Sequence, residues 1–252
     1  MRIPVLRGVI DRRILANYRI DADVASRVIP SPFRPQLLNG FALGGICLIR
    51  LKQVRPWFFP FPWGLQSENA AHRFAVEWDE GGQTREGVYV PRRDTNSRLS
   101  TIVGGTLFPG VHHHSRFEVT ETVDHLSVAL RSDDGLTRVH VSGRVALALP
   151  ATSVFSSLAQ ASEFYERGSL GYSDTAQSGH YDGLELRCRK WSMQPLDIER
   201  IESSFFEDTN RFPTGSAVFD HALLMRGIEH EWHGRGDLCC DTCSASKTPR
   251  RS

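Results

Sequence analysis

The run Phe41-Ala42-Leu43-Gly44-Gly45-Ile46-Cys47-Leu48-Ile49-Arg50-Leu51 constrains this chain more than any other segment. It is apolar without interruption to Ile49, so it shows neither the period of an amphipathic helix nor the alternation of a half-buried strand. It is far shorter than the roughly 20 residues a membrane helix needs. With two glycines inside it, it reads as a strand buried on both faces. Such a strand needs cover on either side.

The neighbouring segments read as strands as well. Residues 12–20 form a first strand, after which Asp21 or Asp23 can cap a short helix that runs to Ile29 and stops at Pro30. His72–Trp78 and Gly87–Val90 make a hairpin across the turn signal Asp79-Glu80-Gly81-Gly82. Asp94 is placed to cap a helix ending at Gly104-Gly105. Three strands follow, at Arg116–Thr122, His125–Arg131 and Thr137–Ala146. Phe155–Arg167 is the clearest helix, with Phe155, Leu158, Ser162 and Tyr165 on one side and Gly168 at its end. Strands near Leu184–Trp191 and Leu196–Phe205 and a helix from Ser216 to Arg226 complete the body. In Pro56-Trp57-Phe58-Phe59-Pro60-Phe61-Pro62-Trp63 the prolines remove backbone donors, so this is an aromatic loop, whose rings could line a ligand pocket, present an interaction surface or plug one end of a barrel.

Many strands with a few inserted helices indicate an α+β, β-rich fold. No linker divides residues 1–238, which are expected to form one domain, with residues 239–252 as a tail without fixed structure. The formal charge of +1 gives no global field that would draw nucleic acid or an anionic membrane. The first residues are interrupted by Arg7 before they reach the apolar length of a signal peptide. Five cysteines, three of them in the last fourteen residues, do not form a secreted disulfide framework. A cytoplasmic protein is expected, and a homo-oligomer is compatible with the sequence.

Several segments resemble acetoacetate decarboxylases. Asn17-Tyr18-Arg19-Ile20-Asp21-Ala22-Asp23 followed by Arg27-Val28-Ile29-Pro30-Ser31-Pro32 is similar to their N-terminal region, where a strand ending in Tyr-Arg leads into a helix closed by Pro-x-Pro. Gln66-Ser67-Glu68 resembles the segment that holds their active-site glutamate. Asp94 through Gly105 resembles the helix after their Tyr-Leu-Asp strand, and Phe108-Pro109 resembles the step before their catalytic lysine. The chain looks closer still to an uncharacterised bacterial family of decarboxylase-like proteins. That likeness rests on Glu68-Asn69-Ala70-Ala71-His72-Arg73, Tyr89-Val90-Pro91-Arg92-Arg93-Asp94, Phe108-Pro109-Gly110 and Ala222-Leu223-Leu224-Met225-Arg226, and it covers about residues 12–235. It implies a β-cone or double barrel around an internal cavity.

The chain departs from the decarboxylase pattern where the chemistry would sit. Two lysines follow the aromatic-Pro step in those enzymes, one of them forming a Schiff base with the β-keto acid. Here the positions are Gly110 and Val111, so that mechanism has no amine to use. The family's active-site arginine falls on Asp11, with Arg12 beside it.

The candidate residues follow from these positions. Glu68 could act as an acid, a base or a polar ligand contact in a dry cavity, against the plainer reading of a loop glutamate paired with arginine. Arg12 is a candidate as the arginine beside the position that Asp11 occupies. Lys190 is one of only three lysines, and alternation in Leu184-Glu185-Leu186-Arg187-Cys188-Arg189-Lys190 sets it on the face of Leu184 and Leu186. The alternative is a strand-end lysine whose head reaches water. In His112-His113-His114, His112 and His114 share a face and could hold a ligand or a metal, though such a run more often forms a polar strand edge. Arg92 and Arg93, at a strand-to-helix junction, could hold a carboxylate or phosphate, or simply make a structural pair with Asp94 or Glu86. His230 and His233 followed by Cys239, Cys240 and Cys243 offer zinc-ligand types at spacing too short for a usual finger.

No cofactor is expected. The expected function is binding of a small organic acid or carbonyl compound in an internal cavity. Whether a reaction follows is left open, and any reaction would be lyase- or hydrolase-like without a Schiff base at the family position. The alternative is a non-catalytic module that contacts another protein through its aromatic loop or C-terminal tail.

Overall fold

The computed structural model describes residues 4–59, 61, 64–98 and 110–239. In chain order the elements are β1 (Leu6–Asp21), α1 (Ala22–Val28), β2 (Arg34–Pro35), β3 (Leu37–Leu38), β4 (Phe41–Pro56), β5 (Leu65–Glu80), β6 (Gln83–Thr95), β7 (His112–Glu121), β8 (His125–Ser132), β9 (Arg138–Val145), α2 (Leu158–Arg167), β10 (Leu170–Asp174), β11 (His180–Cys188), β12 (Gln194–Ser203), β13 (Ala217–Gly234) and β14 (Leu238–Cys239).

Among the described residues the strand pairings close two rings. One runs β5-β6-β7-β8-β9-β12-β13-β1-β4 and back to β5; the other runs β6-β10-β11-β13-β1-β4-β5 and back to β6. They share the wall β13-β1-β4-β5-β6, with β1 at its centre in antiparallel register with both neighbours: Ile14 faces Leu48 on one side and Leu224 on the other. Because successive side chains of a strand point to opposite faces, each shared strand feeds two interiors at once. Ile14, Ala16, Ile46, Leu48 and Phe74 pack with Leu126, Val128, Val141 and Leu196 inside the first barrel. Leu15, Leu43, Cys47, Leu223 and Met225 pack with Phe155, Phe164 and Tyr165 inside the second. The apolar run at Phe41 is therefore part of a wall between two cores.

That geometry corrects one expected element. Residues 217–234 form strand β13, where a helix from Ser216 to Arg226 was expected. Ala222, Leu223 and Leu224 are fully buried and Met225 nearly so, since neighbouring side chains fill different barrels. A run apolar on both faces carries no period that separates strand from helix.

The remaining expectations vary in outcome. Helix α1 follows Asp21 as anticipated, though the Asp21 side chain makes no capping hydrogen bond, and the hairpin of β5 and β6 turns at Gly81-Gly82. Helix α2 is capped by Ser157, whose side chain accepts from the Gln160 amide at 3.2 Å, and ends at Gly168. It buries Ala161, Phe164 and Tyr165, a face turned from the expected one through Leu158 and Ser162. Strand β10 had no sequence counterpart. Asp94 lies inside strand β6, which runs to Thr95; residues 99–109, which include most of the helix expected to end at Gly104-Gly105, and the tail after Cys239 lie outside the described residues. The aromatic loop does not plug a barrel: Trp57, Phe58 and Phe61 are each about 60% exposed. No helix among the described residues is long and apolar enough to cross a membrane.

The first barrel encloses one group that makes stability depend on pH. His72 is fully buried, its ring 4.7 Å from that of Phe205, and among the described residues neither ring nitrogen has a hydrogen-bond partner. Burial drives its pKa down to about 3, with the Arg92 and Arg211 cations adding to the effect. The unfolded chain takes up this proton near the ordinary value of about 6.5, and the folded chain does not. Stability is thus complete above the unfolded value and falls as pH drops toward 3, at up to about 1.4 kcal/mol per pH unit for this one histidine. His72→Phe, which keeps the stack on Phe205, is expected to remove that share of the slope. Urea unfolding at about pH 7 and about pH 5, wild type against variant, measures it.

Candidate functional site

The second barrel holds a cavity of about 140 Å³ lined by Ile49, Leu51, Val88, Val90, Leu184 and Leu186 together with Arg13, Arg73, Arg93, Cys47, Tyr165 and His112. Register across the shared wall explains this set. Leu15, Cys47, Ala71 and Arg93 form one row across β1, β4, β5 and β6; Arg13, Ile49 and Asn69 form the next, and Asn17, Gly45 and Arg73 the row on the other side. Gly45 is required there, because a Cβ would come within 2.5 Å of the Ala16 carbonyl and 2.9 Å of the Asn17 side chain.

The three arginines share an unusual property. Arg13 donates from Nε toward Cys47 Sγ at 3.3 Å, approaches Met225 Sδ at 3.8 Å and lies 5.9 Å from the Trp191 ring. Arg73 donates to Asn17 Oδ1 at 2.6 Å and sits 5.0 Å over the Tyr165 ring. Arg93 donates to Ser173 Oγ at 2.8 Å. All of these partners are neutral. Among the described residues none of the three has a carboxylate within ion-pair distance, and residues 99–109 contain no Asp or Glu. Loss of water pulls the Arg93 pKa down to about 10. It lowers that of Arg73 too, and the nearby Arg13 cation pushes in the same direction.

A buried network fixes Arg73 from behind. Because Asn17 Oδ1 accepts from Arg73, its Nδ2 faces His221 Nε2 at 3.1 Å. That nitrogen must then be the acceptor, which puts the ring proton on Nδ1, 2.6 Å from Asp220 Oδ1. The Tyr165 hydroxyl donates to the same Nε2 at 3.1 Å. Asp220 is held in turn by Ser153 at 2.8 Å, the Val154 amide and Arg19 at 3.2 Å. The hydrogen bonds to Asp220, led by that from His221, hold its carboxyl below the usual range against burial.

The residues singled out in the sequence fall mostly elsewhere. Ser67 and Asn69 line the cavity, so Glu68 between them points into the first barrel. There it pairs with Arg12 Nη2 and Arg50 Nε, both at 2.6 Å. Arg12, fully buried, faces the first barrel as well and also approaches Glu121 at 3.4 Å. Glu121 binds Arg50 at 3.0 Å and Arg226 at 3.3 Å, and Asp11 binds Arg50 and Lys52. This charge cluster lies between β1, β4, β5, β7 and β13.

Lys190 is exposed, because β11 ends at Cys188 and the alternation that would carry Lys190 inward ends with it. His112 does line the cavity; burial, with help from the Arg93 cation, lowers its pKa to about 4. His114 pairs with Asp133 at 2.7 Å on the outside. Arg92 is paired at 2.9 Å with both Asp94 and Asp134, the plainer of its two readings. His230 is buried and His233 pairs with Glu231; Cys240 and Cys243 lie outside the described residues. Among the described residues no group of three or more His, Cys, Asp or Glu side chains is placed to hold a metal.

Arg13, Arg73, Cys47 and His221 escaped the sequence reading; Arg93 was named only beside Arg92 as an anion-holding arginine, and Tyr165 only as part of a helix face. Arg73 and Arg93 lie inside segments already marked as family-like, Glu68–Arg73 and Tyr89–Asp94. Alternation from Leu15 and Cys47 would have chosen Arg13 over Arg12, had the two faces of the wall been told apart.

Residues 10–227 match the family model DUF2071, described as an uncharacterized conserved protein. No curated protein matches the chain. Among solved structures, the acetoacetate decarboxylase of Legionella pneumophila superposes with a TM-score of 0.60 at 10% identity, covering 93% of this chain and 88% of its own. An acetoacetate decarboxylase-like enzyme from Sphingomonas wittichii gives 0.57 at 11% identity over 94% and 93%. The enduracididine biosynthesis enzyme MppR complexed with pyruvate gives 0.57 at 13% identity over 93% and 91%. The β-rich fold is that of the acetoacetate decarboxylase structures.

Removing the Glu68 carboxylate would leave Arg12 fully buried with only the longer contact to Glu121. Breaking a buried pair from one side costs about 3–5 kcal/mol, and Glu68, slightly exposed, belongs at the lower end of that range. Glu68→Gln is expected to lower the unfolding free energy by about 3 kcal/mol in urea titration.

Proposed function

The chain belongs to DUF2071, a family of uncharacterized conserved proteins, and on that footing we propose that its second barrel binds a small organic acid or carbonyl compound. The observation that carries this reading is the set of three guanidiniums, Arg13, Arg73 and Arg93, that line one cavity with only neutral partners. Charges withdrawn from water and left unpaired are costly, and an anion between them offsets the cost. Arginine presents donors in a planar fork that suits a carboxylate.

Size and chemistry narrow the ligand. An engineered cavity of about 150 Å³ holds a benzene molecule, so 140 Å³ suits a compound of about six heavy atoms. The apolar wall of Ile49, Leu51, Val90 and Leu184 favours a short carbon chain behind the carboxylate. Pyruvate, the ligand of the related MppR structure, has this size and charge and is the first compound to test. No lysine lines the cavity among the described residues: Lys52 pairs with Asp11 at 2.9 Å, and Lys190 is exposed. Carbonyl compounds bound here would therefore be held without a Schiff base to those lysines.

A second reading rests on the exposed aromatic loop, where Trp57, Phe58 and Phe61 offer apolar surface for contact with another protein. The two readings use different faces of the molecule.

Calorimetric titration with pyruvate and with short carboxylates of similar size tests the cavity. Saturable binding is expected. Arg73→Gln, which keeps a donor for Asn17 and removes the charge, is expected to weaken it about 10- to 100-fold, the loss of one charge-assisted hydrogen bond. No binding of any short carboxylate, or equal affinity in Arg73→Gln, would refute the proposal.

A further inference from the structure

Beyond binding, the cavity contains a thiol that anion recognition alone leaves without a task. We propose that Cys47 is a nucleophile directed at small anionic electrophiles, chiefly the carbonyl carbon of a short 2-oxo acid held by the arginines. This rests on the reading of the cavity as a carboxylate site.

Placement supports it first. Cys47 lies within the arginine set: Arg13 is on the neighbouring strand with its Nε 3.3 Å from the sulfur, Arg93 falls in the same row across the wall as Cys47, and Arg73 in the adjoining row. The sulfur therefore lies beside the groups proposed to hold a carboxylate. Space supports it next. Along the same face the adjoining positions on one side are small, Gly45 on its own strand and Ala71 across the pair, while Ile49 and Leu15 bound the sulfur on the others. An independent feature points to a ligand at this spot. Arg73 lines the same cavity and is only 5% exposed; its Nη2 is held by Asn17, and among the described residues its Nε has no hydrogen-bond partner.

The step balances without any further reactant. Sulfur forms a bond to the keto carbon as the carbon–oxygen π bond breaks. That electron pair moves to the oxygen, which takes up the proton released by the thiol. The product is a thiohemiketal, and nothing is oxidised or reduced. The nucleophile would thus be supplied by β4, in a chain whose family-equivalent lysine positions are Gly110 and Val111.

Two alkylating agents that differ in charge test this on the intact protein. The folded protein is treated with iodoacetate or iodoacetamide at equal concentration, and labelling of each cysteine is followed by peptide mass mapping. Relative to the exposed Cys239 in the same molecule, Cys47 is expected to prefer iodoacetate by about tenfold or more. Arg13→Gln is expected to reduce that preference several-fold, and urea to abolish it. A Cys47 inert to both reagents when folded yet labelled in urea would overturn the proposal, as would a preference equal to that of Cys239. Titration of the wild-type protein with propionate, which has a carboxylate and no electrophilic carbon, separates the two levels. Propionate binding with an inert Cys47 defeats the nucleophile alone; absence of propionate binding defeats the carboxylate site beneath it.

Discussion

Everything in this molecule depends on a wall of strands buried on both faces. β13, β1, β4, β5 and β6 belong to two closed rings, so consecutive residues on one strand inhabit different interiors. At Arg12 and Arg13 this alternation separates two chemistries. Arg12 enters the first barrel and meets Glu68 at 2.6 Å, while Arg13 enters the second and meets only sulfur atoms and an indole ring. A shift of one residue in register would exchange them. The apolar content of the wall is what holds that register, since Ile14, Leu15, Leu48, Leu223 and Leu224 are all fully buried.

The two barrels solve the problem of buried charge in opposite ways. In the first, Arg12, Arg50 and Arg226 are met by Glu68, Glu121 and Asp11, so attraction between close opposite charges works against the desolvation of each. In the second, the guanidiniums are positioned by neutral groups. Asn17 orients Arg73 and is itself set between Arg73 and His221, whose ring is aligned by Asp220. Arrangement by neutral donors and acceptors keeps the geometry rigid and leaves the positive charge unspent. Such preorganisation lowers the entropy that a small anion must overcome on binding.

Much of the fold was legible in the sequence because it follows local rules. The hairpin of β5 and β6, the helix closed by Gly168 and the doubly buried strand at Phe41 are each written in a turn, a cap or an apolar run. β13 was not legible, since Ala222 through Met225 are apolar on both faces and the same run suits a buried helix. The site was harder for a related reason. Likeness to the decarboxylases led to Glu68 and Arg12, which face the first barrel, and alternation alone does not say which face holds a cavity. Lys190 was judged by an alternation that ends with the strand at Cys188. The aromatic loop was read from composition, and composition does not distinguish a plug from an exposed surface.

The central claim is that the second barrel is a preorganised carboxylate site. A crystal structure of the protein saturated with pyruvate tests it most directly. The account requires density for the ligand in the cavity beside Cys47, with its carboxylate oxygens within hydrogen-bond distance of at least two of Arg13, Arg73 and Arg93. A cavity holding only water at saturating pyruvate, or arginine side chains drawn away to carboxylates of the protein, would contradict it.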